Sequence, residues 1–97
     1  MPTYITLIKF TDQGSRNIKK TLKDQEEAIK NGEKMGAKFV GVYTVMGEYD
    51  VVTIFECPSD EVALTGVMAA SADGNIRTTT LRAFTQEEFR EIVNKMP

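Results

Sequence analysis

Histidine and tryptophan are absent from this chain of 97 residues, cysteine occurs once, and proline three times. Without histidine there is no Ser-His-Asp or Cys-His catalytic arrangement, no imidazole metal ligand and no imidazole base. The lone Cys57 excludes an intrachain disulfide, and a reducing, cytoplasmic setting is the matching expectation. Charge of one sign is also scarce: 12 Lys plus Arg against 14 Asp plus Glu give a net charge of −2 and a pI near 5.1. That balance offers no electrostatic footprint for nucleic acid or an anionic membrane, so neither is expected as a partner. The basic cluster Arg16, Lys19, Lys20 and Lys23 is followed at once by Asp24, Glu26 and Glu27. It reads as the solvated face of a mixed-charge helix rather than a phosphate site.

No apolar run approaches the roughly 20 residues that cross a bilayer, and Met1 to Lys9 has no basic leader before an apolar segment. Neither a membrane anchor nor a signal peptide is expected. A glycine-rich phosphate loop is missing too, since Gly32-Glu33-Lys34-Met35-Gly36 reads as a helix end. Glu48, Asp50 and Glu56 are close in sequence. An extended strand rising roughly 3.3 Å per residue nevertheless separates Asp50 from Glu56 too far to share an ion. No metal and no cofactor are expected.

What is present is an ordered set of periodic segments. Tyr4 to Phe10 is a β-branched and apolar run, and Thr11-Asp12-Gln13-Gly14-Ser15 after it reads as a turn. Arg16 to Met35 shows a helical period, with Ile18, Leu22, Gln25, Ile29, Gly32 and Met35 on the stripe expected to be buried. Gly36 is placed to end that helix in the left-handed conformation. Lys38 to Met46 and Tyr49 to Cys57 read as two strands joined by a Gly47-Glu48 turn. Ser59 caps a second helix whose first turn carries Asp60 and Glu61; its broad apolar face is Val62, Ala63, Leu64, Val67, Met68, Ala69 and Ala70. Ile76 to Phe84 is a threonine-rich strand, and Thr85-Gln86-Glu87-Glu88 is a capping box opening a helix over about Gln86 to Asn94.

The order βαββαβ plus a terminal helix, with right-handed crossovers, predicts one α+β domain over residues 1–97. It is a ferredoxin-like plait with a four-stranded antiparallel sheet and the two long helices on one face. The first and third strands are then central, and Ile5-Thr6-Leu7-Ile8 and Val51-Val52-Thr53-Ile54-Phe55 lack a polar face. Helices cover only one side of such a sheet. Leaving several of Tyr4, Ile8, Thr53, Phe55, Leu81 and their neighbours wet would form a large apolar patch. Two sheets packed face to face in a homodimer is the expectation, with the parity of each strand left open.

The stretch Gly47-Glu48-Tyr49-Asp50 running into Val51–Asp60, then Gly74-Asn75-Ile76-Arg77-Thr78-Thr79-Thr80-Leu81-Arg82-Ala83-Phe84-Thr85, resembles the GYD domain family of small bacterial and archaeal proteins. The likeness runs from Tyr4 to about Ile92. It implies a stand-alone ferredoxin-like module of the dimeric α/β barrel type, whose members mostly carry no established activity. The ligand-sensing domain of Lrp/AsnC regulators and several small monooxygenases share that architecture, an analogy of fold rather than function. No helix-turn-helix segment precedes Tyr4, so a direct DNA-binding regulator is not expected.

Three residues are candidates for binding a ligand: Tyr49, Asp50 and Arg77. In a structural role Gly47 takes a positive φ, Asp50 binds nearby amides and Tyr49 packs at the end of the sheet; in a functional one, Tyr49 and Asp50 line a small pocket there. Arg77 either meets a ligand carboxylate or phosphate, or pairs with Asp50 across strands. Cys57 is either a buried hydrophobe or a thiol activated at a helix start. The expected function is a small-molecule-binding or regulatory module acting as a homo-oligomer, its ligand at the barrel rim or between subunits. The alternative is a cofactor-free enzyme, monooxygenase-like or isomerase-like, using Tyr49 and Asp50 as acid and base in an apolar cleft.

Overall fold

The β-branched segment Thr3–Phe10 forms β1, and it takes the middle of a four-stranded antiparallel sheet. The computed structural model describes all of residues 1–97. After β1 come α1 (Asp12–Arg16), α2 (Ile18–Lys34), β2 (Lys38–Thr44), β3 (Val51–Glu56), α3 (Asp60–Ser71), β4 (Ile76–Ala83) and α4 (Gln86–Asn94). The sheet order β2-β3-β1-β4 is that of the ferredoxin-like plait, with β1 and β3 central as expected. Register is continuous from Thr3↔Glu56 to Ile8↔Val51 on one side of β1, and from Thr3↔Ala83 to Phe10↔Ile76 on the other.

That register settles the parity left open by the sequence. Tyr4, Thr6 and Ile8 of β1 and Val51, Thr53 and Phe55 of β3 are buried under the helices. Tyr4 and Phe39 each pack on the Phe55 ring, with centroids 5.5 and 5.4 Å apart. The intervening Ile5, Leu7, Val52 and Ile54 are half-buried and face the other way, beside Leu81 and Tyr43, which stand in register with Ile5 and Val52. Both faces are therefore apolar, and helices cover one of them.

Local chemistry explains the ends of the elements. Gly36 and Gly47 take φ of 98° and 114°, the left-handed region that glycine enters without penalty, at the end of α2 and in the β2–β3 hairpin. Ser59 Oγ accepts the Val62 N–H at 3.3 Å to start α3. The capping box of α4 is complete: Thr85 N–H donates to Glu88 Oε1 at 2.8 Å, and Glu88 N–H to Thr85 Oγ1 at 3.1 Å.

Two expectations are corrected. The segment after Phe10 is not a plain turn: Thr11 Oγ1 accepts the Gly14 N–H at 3.1 Å and caps the single helical turn α1, which ends at Asn17 before α2 begins. The inward stripe of α2 is also rotated from the one read from its large apolar residues. Thr21, Gln25, Ala28, Ile29 and Gly32 face the sheet, whereas Ile18 and Leu22 are exposed, as is Met35 just past the end of the helix. The cause is Thr21, whose hydroxyl donates to Gly14 C=O at 2.9 Å and draws that edge of the helix inward.

Helix α4 leans little on the rest of the chain, and Phe89, Ile92 and Val93 on its apolar edge are exposed. Its order therefore depends on its own cap. Thr85→Ala is expected to cost about 1 kcal/mol of helix stability. In hydrogen exchange the loss should appear as faster exchange over 86–94, while the sheet amides keep their protection.

Candidate functional site

The hairpin that carries Tyr49 and Asp50 is closed by Val45 N–H donating to Asp50 C=O at 2.8 Å. Asp50 is then tied to β1 twice, its N–H donating to Ile8 C=O at 2.8 Å and its Oδ2 accepting the Phe10 N–H at 2.8 Å. The carboxylate thus satisfies the last amide of a central strand. Tyr49 is half-buried beside it. Arg77 is exposed on the open face of the sheet, in register with Lys9, and makes no ion pair with Asp50; the ion pair present in the molecule is Lys20–Asp24, at 2.8 Å. None of the three candidates lines the cleft between the helices and the sheet.

A cavity lies elsewhere, between α2, α3 and the sheet. It measures about 120 Å³. Its floor includes Thr6, Ile8, Thr53 and Phe55, and its roof mixes the small residues Ala28 and Gly32 of α2 and Ala63, Gly66 and Ala70 of α3 with the larger Gln25, Ile29, Val62 and Val67. The small residues recur at helical spacing, and where they fall the helices present little side-chain bulk to the sheet, so the layers do not fill the space between them. One end is closed by Asn75, which is buried; its C=O accepts the Thr11 N–H at 3.0 Å and its Oδ1 accepts from Gln13 Nε2 at 2.8 Å. The Gly74-Asn75 part of the sequence signature is accordingly an anchor between α1 and the start of β4.

Cys57 also borders this cleft. It is 1 % exposed and packs with Tyr4, Phe55 and Ala63, the environment of a small apolar side chain rather than of an activated thiol. No group of three or more Cys, Asp or Glu side chains is placed to hold a metal ion.

One polar cluster had no local signal in the sequence. The Tyr4 hydroxyl, on the helix-covered side of β1, donates a hydrogen bond to Asp60 Oδ1 at the start of α3. The Arg82 guanidinium lies 5.7 Å from the Tyr4 ring centre and 4.5 Å from that of Phe84. Tyr4 and Asp60 are 56 positions apart, and each alone reads as a strand residue and a helix-start residue. The pair pins α3 to the central strand at the edge of the cleft.

The fold and cleft define a small ferredoxin-like α+β module with room for a ligand between its layers. The chain belongs to the GYD domain family, whose pattern it matches over residues 4–93. It is 30% identical over 84 residues to the glutamine synthetase and cystathionine beta-lyase binding protein of Thermus thermophilus, a match covering 86% of this chain and 88% of the relative. Among solved structures it superposes on the crystal structure of FFRP-DM1 with a TM-score of 0.51 at 20% identity, over 87% of this chain and 100% of that one. The last likeness supports the fold. No helix of the chain is long and apolar enough to cross a membrane.

The Asp60 hydrogen bond, followed by burial, pushes the Tyr4 phenol from 10.0 up to about 12. A raised native value means that the folded protein keeps a proton the unfolded chain has lost. The stabilisation is thus whole below pH 10 and disappears as pH rises to about 12. In an alkaline titration followed by phenolate absorbance, Tyr4 should ionise near 12, and Asp60→Asn should return it toward 10.0. Unchanged ionisation in that variant would refute the assignment.

Proposed function

We propose that this chain is a non-catalytic binding or regulatory module that works as a homodimer in the cytoplasm and holds a small molecule in the cleft between its helices and its sheet. The observation that carries this reading is the cleft itself, left unfilled where Ala28, Gly32, Ala63, Gly66 and Ala70 fall in its roof. Pockets that take small molecules are concave, largely apolar and furnished with a few polar groups, which is the character of this lining. Self-association is supported by the uncovered sheet face, where Ile5, Leu7, Val52, Ile54 and Leu81 form an apolar surface across three adjacent strands. Catalysis by Tyr49 and Asp50 is not proposed, because Asp50 is bound to the Phe10 amide and neither residue lines the cleft.

A second reading, that the module binds another protein, is favoured by the relative named for binding glutamine synthetase and cystathionine beta-lyase. The exposed apolar edge of α4 is compatible with it.

Light scattering at micromolar concentration should give a particle of twice 10.8 kDa. Ile54→Lys, in the middle of the uncovered face, should give 10.8 kDa with unchanged helicity. A wild-type protein that is monomeric and stays soluble would remove the dimer from the proposal. The ligand half is tested separately by a thermal-shift screen across metabolite classes, where a flat response throughout would count heavily against it.

A further inference from the structure

We infer that the cleft takes neutral, mainly apolar molecules of about one-ring size bearing a single hydroxyl or carbonyl, and that it rejects anions; this rests on the reading of the cleft as a ligand site. Size comes first. An apolar protein cavity of about 150 Å³ is known to admit benzene, so this space of about 120 Å³ suits one six-membered ring or a branched aliphatic of similar bulk.

Charge is decided by what borders the space. No lysine or arginine lines the cleft, whereas Asp24 and Asp73 do. Asp24 is neutralised by Lys20 at 2.8 Å, and Asp73 has no ion-pair partner. A carboxylate or phosphate entering here would lose its hydration and meet the Asp73 carboxylate, while the cation at the border, Lys20, is already engaged by Asp24.

The hydrogen-bonding requirement comes from the floor. Thr53, Thr6 and Thr80 stand in register across β3, β1 and β4. The Thr6 and Thr80 hydroxyls bond to each other at 3.1 Å, leaving Thr53 without a partner although the residue is only 5 % exposed. No fully enclosed polar atom of the molecule lacks a partner, so the Thr53 hydroxyl looks into the cavity it lines. A hydroxyl that lines such a space without a partner in the chain can be met there by a ligand group that donates to it or accepts from it.

Gly66 marks where the cleft has room on the helix side. It sits inside α3, where glycine is a poor helix former, and a Cβ added there would meet no atom within 4 Å. Nothing in the packing of the subunit demands a glycine at that point.

The test titrates isotope-labelled full-length protein with phenol, toluene and benzoate and follows the backbone amides by NMR. Phenol should shift Thr53, Ala63 and Gly66 saturably, and toluene should shift the same residues with about five- to tenfold weaker affinity, the worth of one neutral hydrogen bond. Benzoate should leave them unmoved. Thr53→Val should reduce phenol to the affinity of toluene, and Gly66→Leu, which fills the cleft from the helix side, should bind neither probe. Benzoate binding as tightly as phenol at these residues, or Thr53→Val leaving the preference for phenol intact, overturns the ligand class while the cleft remains a ligand site. Failure of all three probes to shift the cleft residues overturns both, as does undiminished binding by Gly66→Leu.

Discussion

The pairing of β1 with both β3 and β4 is the constraint from which the rest of the molecule follows. Once Thr3–Phe10 is hydrogen-bonded on both edges, its alternating side chains must divide between two faces, and its partners divide in step. Tyr4, Thr6 and Ile8 go under the helices with Val51, Thr53 and Phe55; Ile5 and Leu7 go to the open side with Val52 and Ile54. Neither set is charged, so the middle of each face is apolar, while Lys9, Arg77, Lys38 and Glu56 lie toward the ends of the open one. The two faces meet different fates: one is roofed by helices that do not quite close on it, and the other is left bare.

Much of this fold was legible in the sequence because it rests on local chemistry. The Thr85–Glu88 capping box, the Ser59 cap and the positive φ at Gly36 and Gly47 are each determined within a few residues, and each stands where the pattern placed it. The phase of α2 was not legible for the opposite reason. Periodicity gives the pitch of a helix, but its orientation was inferred from the largest apolar side chains, Ile18 and Leu22, and these are exposed. Thr21, a residue that hydrophobicity ranks low, faces inward because a carbonyl seven positions earlier awaits its hydroxyl. The same dependence on a distant partner turned Thr11–Ser15 from an apparent turn into the capped helix α1, whose Gln13 and Thr11 anchor Asn75.

The candidate site was less legible still. Gly47-Glu48-Tyr49-Asp50 stands out in the sequence because it is short, polar and bounded by strands, yet Asp50 serves the amide of Phe10, 40 positions away. The cleft has no comparable signature, since it is made by what side chains fail to fill. Its traces were present all the same: Ala28 and Gly32 one turn apart in α2, and Ala63, Gly66 and Ala70 at helical spacing in α3. A helix roof of this kind reads as close packing when the sheet beneath it is unseen, and as a cavity once the threonine floor is in place.

On the reading proposed above, the cleft and the bare face are not independent surfaces. Thr53 in the cleft floor is flanked along β3 by Val52 and Ile54, whose side chains emerge on the other side of the same strand. A ligand that fixes the position of Thr53 therefore acts on the backbone that presents the self-association surface. Packed strands move as units rather than bending freely, so a shift that suits the ligand is carried through the sheet to its opposite face. If the cleft binds its guest more tightly in the paired subunit than in the free one, pairing must strengthen binding by the same factor, because coupling between two equilibria is reciprocal. With the two sites separated by the thickness of one strand, the link between occupancy and assembly that a regulatory module requires needs no moving domain.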